Sequence, residues 1–232
     1  MGIAKKCLKF VQKDDKTTII RDNVDILDDI NSEELGDYIN ELQQDAKKQG
    51  KSWDDYLDDL ANKSRPRKNA LVKWLSKFDV NFINHLSGDV ALEDLMIFFK
   101  KDYYIVPKGQ GGHWLNKFLK VDAILEPPGI GNIENLPKDI PFKAKVTIRS
   151  LKGKMFPKSA ESSMFPRNWS EIRIKEEVAL AYEKSFVKGI GLNPNSVNKK
   201  FKQYKFKDSL GNFDILIEVD DIGNIMNAYP LL

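Results

Sequence analysis

An α+β fold is predicted by two observations along the 232 residues. Apolar residues recur at helical spacing as far as residue 99, and from residue 142 they alternate with period two. Charge changes at the same boundary: residues 1–106 carry a net −3 and residues 107–232 a net +6. The expected organisation is a small N-terminal helical domain over 1–106, with no role assigned, followed by a domain of antiparallel sheet and helices over 107–232. The junction is placed near Pro107.

Composition narrows the class. Hydrophobic residues make up 41% and charged residues 31%, enough apolar material for a core and too much for a disordered chain. No apolar run approaches the roughly 20 residues of a membrane helix. The lone Cys7 excludes an intramolecular disulfide and a cysteine-based zinc site. The start, MGIAKKCLKF, lacks the apolar stretch and cleavage site of a conventional signal peptide. Lys6 stands where a myristoylation signal needs Ser or Thr.

In the first half, Leu35, Tyr38, Ile39, Leu42 and Ala46 form an apolar stripe entered through Asn31, with Glu34 three residues on. Ser52 and Asp55 resemble a capping box. The stripe Trp53, Tyr56, Leu57, Leu60 and Ala61 follows, and Pro66 is expected to end it. Leu71, Trp74, Leu75 and Phe78 give a third helical segment, and Leu92, Leu95 and Phe99 a fourth. Residues 22–60 hold 13 acids against 3 bases. The stretch from Asp22 to Glu34 lacks the glycine and spacing of a calcium loop, so a solvated helix face is expected. His85, among Phe82, Ile83 and Leu86, reads as a satisfied or surface histidine.

In the second half, Phe142, Ala144, Val146 and Ile148 alternate with Lys143, Lys145, Thr147 and Arg149. This is a half-buried strand whose outer face carries three cations, with side chains about 7 Å apart. That face suits either an exposed strand guarded by lysines or a nucleic-acid backbone. A helix is expected from Ser170 to about Phe186, with Ile174, Val178, Ala181 and Tyr182 on one face. The basic run Lys199–Lys207, interleaved with Phe201, Tyr204 and Phe206, leads to strands at Ile215–Val219 and Ile225–Tyr229. Gly211 and Gly223 permit the positive φ of tight turns.

Three glycines lie between Lys108 and His113. Such a shelf lets backbone approach a ligand and aims amides at an anion. It is neither a P-loop nor a dinucleotide fingerprint. Taken alone, Gly111-Gly112-His113 also fits a flexible linker with an incidental histidine.

The motifs in order are more specific. Gly111-Gly112-His113 is followed by Lys158-Ser159, then Phe165-Pro166-Arg167-Asn168-Trp169-Ser170, a helix, and a hairpin ending Asn227-Ala228-Tyr229-Pro230. Over residues 107–232 this resembles the bacterial EndoU-like endoribonuclease family. The resemblance implies a metal-independent nuclease domain without cofactor, commonly a toxin in bacterial competition. It implies RNA, with tRNA among the candidates, as substrate and a cognate acidic immunity protein as partner. The site of action would be the cytoplasm of the producing or target cell, reached without a conventional signal peptide.

RNA can be cut by attack of its own 2′-hydroxyl on the adjacent phosphate, leaving a cyclic phosphate end. That needs a base, an acid and a cation. The expected catalytic set is His113, Lys158, Asn227 and Tyr229, with His113 moving a proton and Lys158 steadying the phosphate. Asn227 and Tyr229 share one strand face and could hold a base or phosphate. Gly111, Gly112, Lys143, Lys145, Arg149, Ser163 and Arg167 are the expected nucleic-acid contacts. No metal ligands are expected. The family's better-known members use two histidines and a lysine, and no histidine follows His113, so the second proton carrier is unidentified; Arg149, Lys158 and Tyr229 are candidates by chemistry alone, Arg149 by charge rather than proton transfer. Asn227 stands where Thr or Ser is commoner. A non-catalytic RNA-binding or protein-interaction module on the same fold is the alternative.

Overall fold

Three antiparallel strands precede the first helix: β1 (Leu8–Lys13), β2 (Lys16–Arg21) and β3 (Val24–Asn31), in that order across the sheet. The computed structural model describes residues 8–13, 16–21, 24–31, 35–97, 102–150 and 152–232. The acidic segment expected on a helix face is therefore strand over Val24–Asn31. Its β-branched content, with Thr17, Thr18, Ile19 and Ile20 in the partner strand, favours a pleated ladder over a helix.

Helix α1 (Leu35–Lys48) follows, and Asn31 is the last residue of β3 rather than its cap; Glu34 lies outside the described residues. Leu42 and Ala46 are buried with Tyr56 of α2 (Trp53–Trp74). The Ser52 cap is formed: its Oγ accepts the Asp55 N–H at 3.2 Å and donates to Asp55 Oδ2 at 2.6 Å. Pro66 does not end the helix; it sits inside α2. Proline removes one intrahelical bond, yet Ala61, Ser64, Arg67 and Ala70 continue one buried stripe across it.

The chain divides into units Met1–Lys73 and Trp74–Leu232. Residues 74–106 thus group with the second unit rather than with the first. A 3₁₀ turn (Leu75–Lys77), α3 (Phe82–Ser87) and a hairpin of β4 (Asp89–Ile97) and β5 (Asp102–Gln110) open it. The helix expected around Leu92 and Leu95 is β4, and Phe99 lies outside the described residues. Pro107 is no junction: it lies inside β5, opposite Leu92.

Next come β6 (Leu119–Glu126), β7 (Phe142–Arg149), β8 (Met155–Pro157) and β9 (Ser162–Met164). β7 is central, with β6 along one side and β8 and β9 sharing the other. Its lysines therefore guard no open edge. Phe142, Ala144, Val146 and Ile148 are all buried as the alternation required, packed with Leu136 and Met164.

Helix α4 (Glu171–Lys184) is capped by Ser170, whose Oγ accepts the Arg173 N–H at 3.1 Å. Strands β10 (Lys202–Lys207), β11 (Asp214–Val219) and β12 (Ile225–Pro230) form an antiparallel meander. One core joins α3, the Phe165–Trp169 segment, α4 and this meander through Phe82, Leu86, Phe165, Ile174, Val178 and Ile217. Among the described residues, no helix is long and apolar enough to cross a membrane.

Tyr182 pins the β11–β12 turn to α4, its hydroxyl donating to the Gly223 carbonyl at 2.8 Å in a buried position. Tyr182→Phe strands that carbonyl. Urea unfolding of the full chain should show a loss of about 1–2 kcal/mol.

Candidate active site

The site is built on the end of α3. Phe82 and Leu86 turn into the core and leave His85 half-buried between them and the surface. The helix is tied to the meander just ahead: Phe78 bridges Ile225, and the Asp79 N–H donates to the Ile225 carbonyl at 3.0 Å. His85 is thereby held beside β12.

A six-residue helix leaves most of its terminal carbonyls without intrahelical donors. The glycine shelf supplies them. Gly112 N–H donates to the His85 carbonyl at 2.9 Å, and His113 N–H to the Leu86 carbonyl at 2.8 Å. Gly111 and Gly112 both take positive φ, at 65° and 74°. A side chain on Gly111 would run into the His85 carbonyl oxygen, and one on Gly112 would press on Leu119 and Ile148. The two glycines are thus required by the close approach of α3, and the linker reading falls.

His113 is then locked to the second motif. Its Nδ1 lies 2.7 Å from the Ser163 carbonyl, its own carbonyl accepts the Phe165 N–H at 2.8 Å, and Trp114 Nε1 donates to the Trp169 carbonyl at 2.9 Å. A carbonyl can only accept, so Nδ1 carries the hydrogen and the Nε2 lone pair is left for chemistry. The ring stacks on Tyr229 with centroids 5.3 Å apart.

The ring of His85 lies near that of His113, at 5.8 Å between centroids and tilted by 37°. His85, expected as a satisfied or surface histidine, is half-buried and shares a cluster with His113. No spacing rule could reveal it, because His85 precedes the glycine shelf and reaches the site only through the α3 contact.

Lys158 completes the cluster. Its Nζ donates to the Gly111 carbonyl and to Ser162 Oγ, each at 2.8 Å. An ammonium has three donors, so one remains. Among the described residues, no carboxylate pairs with Lys158, and burial lowers its pKa to about 8. Burial, then the Lys158 charge, lowers His113 to about 3. The same two causes lower His85, opposed by Glu218 and Asp89. Burial and Glu218 raise Tyr229, which stays a phenol.

Glu218 is the other group the sequence did not flag. It stands opposite Asn227 in the β11–β12 register and accepts its Nδ2 hydrogen at 3.1 Å. Asn227 and Tyr229, two apart on β12, share a face as expected.

The other expected contacts are dispersed. Gly112 packs over Val146 and Ile148, so the shelf covers the inner face of β7, while Lys143, Lys145 and Arg149 alternate onto the opposite face. Lys143 is further tied up by Glu126 at 2.7 Å, which raises its pKa. Arg167 Nε donates to the Leu136 carbonyl at 2.8 Å, bracing the 3₁₀ turn Ile133–Asn135. Ser163 serves through its carbonyl. Two cations among the described residues share the Tyr229 face: Lys205, in one row with Leu216 and Tyr229 across β10, β11 and β12, and Lys207, which pairs with Asp214 at 3.4 Å. Among the described residues, no group of three or more His, Cys, Asp or Glu could hold a metal.

Two outcomes are expected. Gly111→Ala, strained in φ and in collision with the His85 carbonyl, should cost at least about 2 kcal/mol in urea unfolding. The folded chain also keeps His113 neutral where an unfolded chain, near pKa 6.5, takes up a proton. Stability from this group is therefore full above about pH 6.5 and declines as pH falls toward about 3. His113→Asn retains a donor and cannot titrate, so its unfolding free energy should fall less steeply between about pH 7 and about pH 4.

Comparison of the chain with protein-family models, curated proteins and solved structures finds no match in any of the three.

Proposed function

We propose that residues 74–232 form a metal-independent endoribonuclease that cleaves RNA by 2′-hydroxyl attack. The observation that carries this reading is the gathering of His85, Lys158 and Tyr229, from three other segments, around the buried His113.

Each group has a role its surroundings suit. His113, held neutral with Nε2 open, takes the 2′-hydroxyl proton. His85, less deeply buried and close to Glu218 and Asp89, holds a proton more readily and returns one to the leaving 5′-oxygen. A phosphodiester anion between the rings offsets the Lys158 charge and raises both imidazoles, which lets His85 load its proton. The third Lys158 hydrogen and the positive charge meet the oxygens on which negative charge grows. Tyr229 offers a ring face to ribose or base. The cyclic phosphate follows because the attacking oxygen remains bonded to phosphorus.

This reading keeps RNA as the substrate, with tRNA a candidate, and an acidic inhibitor protein as the partner that matches an uncompensated Lys158. With His85 in the cluster, the missing proton carrier no longer favours a binding-only module.

The deciding experiment is incubation of the full chain with total RNA in excess chelator. Cleavage leaving 2′,3′-cyclic phosphate ends is expected, and His113→Ala and His85→Ala should each lower the rate roughly 10²–10⁴-fold. Intact RNA at micromolar protein, or undiminished cutting by both variants, overturns the reading. Lys205→Ala should also lower the slope of log affinity against log salt by about 0.7 for an oligonucleotide lacking the 2′-hydroxyl. Lys145→Ala and Arg149→Ala, on the far face of β7, should leave that slope unchanged.

A further inference from the structure

On the sheet face that carries Tyr229, one rung is a chain of polar side chains. Gln203, Glu218 and Asn227 stand opposite one another in register across β10, β11 and β12. Glu218 uses both oxygens: Oε1 accepts Gln203 Nε2 at 2.9 Å, and Oε2 accepts Asn227 Nδ2 at 3.1 Å. Gln203 is itself fixed, its Oε1 accepting Asn193 Nδ2 at 2.9 Å and its backbone N–H donating to Ser196 Oγ at 2.9 Å.

An ionised carboxylate only accepts hydrogen bonds. Both amides must therefore turn their NH₂ groups toward Glu218, and neither can flip without setting oxygen against oxygen. The Asn227 Oδ1 is held away from Glu218. Among the described residues, neither that oxygen nor the second Nδ2 hydrogen has a protein partner.

A fixed amide reads a nucleobase by the order of its donor and acceptor. Uracil and guanine place a carbonyl beside a ring N–H. Cytosine and adenine place an amino group beside a bare ring nitrogen, the reverse order. An amide that flips freely accepts both classes, and an amide held one way accepts one.

We propose that Glu218 is a positioning residue that makes this site discriminate keto bases from amino bases, by holding the Asn227 amide in a single orientation beside Tyr229. The proposal rests on the ribonuclease reading above. It adds that selectivity lies in a carboxylate that itself need not touch RNA, and that the selection follows the keto or amino character of the base rather than its size.

The test uses four short oligonucleotides, each with one ribonucleotide (U, G, C or A) 5′ to the scissile phosphate. The full chain should separate U and G from C and A by at least about tenfold in kcat/KM, since a buried polar partner left unmatched is costly. Glu218→Gln, equal in shape but able to donate or accept, should cut that ratio about tenfold, chiefly by slowing the favoured pair. Asn227→Ala should remove the split, and Glu218→Gln should add nothing in that background. Thermal unfolding of each variant separates this from loss of fold. If Glu218→Gln does not fold, a split retained by Asn227→Ala overturns the proposal. A wild-type chain that cuts RNA without a keto–amino split, or a folded Glu218→Gln that keeps it, overturns this inference alone. A chain that cuts none of the four overturns the ribonuclease reading and this inference together.

Discussion

The whole site depends on two hydrogen bonds, from the amides of Gly112 and His113 to the carbonyls of His85 and Leu86. They cap a helix too short to satisfy itself, and in doing so they set two imidazoles side by side. The contact is possible only because Gly111 and Gly112 have no side chains and take φ of 65° and 74°. Every other member of the cluster is placed against this junction. Ser163 orients the His113 ring, and Lys158 reaches back to the Gly111 carbonyl.

The electrostatics follow from what the junction buries. Burial, with the Lys158 charge added to it, lowers the pKa of both imidazoles, and burial lowers that of Lys158 itself. Desolvation of this kind lowers the stability of the fold. One side of the site is cationic, around Lys158. The other carries Glu218 and the amides of Gln203 and Asn227. On the ribonuclease proposal, phosphate meets the first side and a neutral, hydrogen-bonding group the second.

Local patterning was legible where burial has one dominant period. The β7 strand, the α4 helix with its Ser170 cap and the β11–β12 hairpin all stand where alternation, capping and Gly223 put them. The helical reading failed around Val24–Asn31 and Leu92–Leu95, where short β-branched or mixed segments took a partner strand. It failed at Pro66 for the opposite reason: a buried stripe on both sides outweighed one lost hydrogen bond. Of the site, His113, Lys158, Asn227 and Tyr229 were legible from motif order. His85 and Glu218 were not, because each reaches the cluster through contacts across elements that no linear spacing encodes.

By itself, then, the chain's residue order determined periodicity, caps, turns and the types of group available for proton transfer. Which faces meet was decided only in three dimensions. The same period-two rule that identified Lys143, Lys145 and Arg149 as a cationic row also sends them to the side of β7 opposite the buried residues that the glycine shelf covers. Alternation fixes two faces but not which of them a distant loop will cover, since that choice is settled by burial of apolar area shared among segments far apart in the chain.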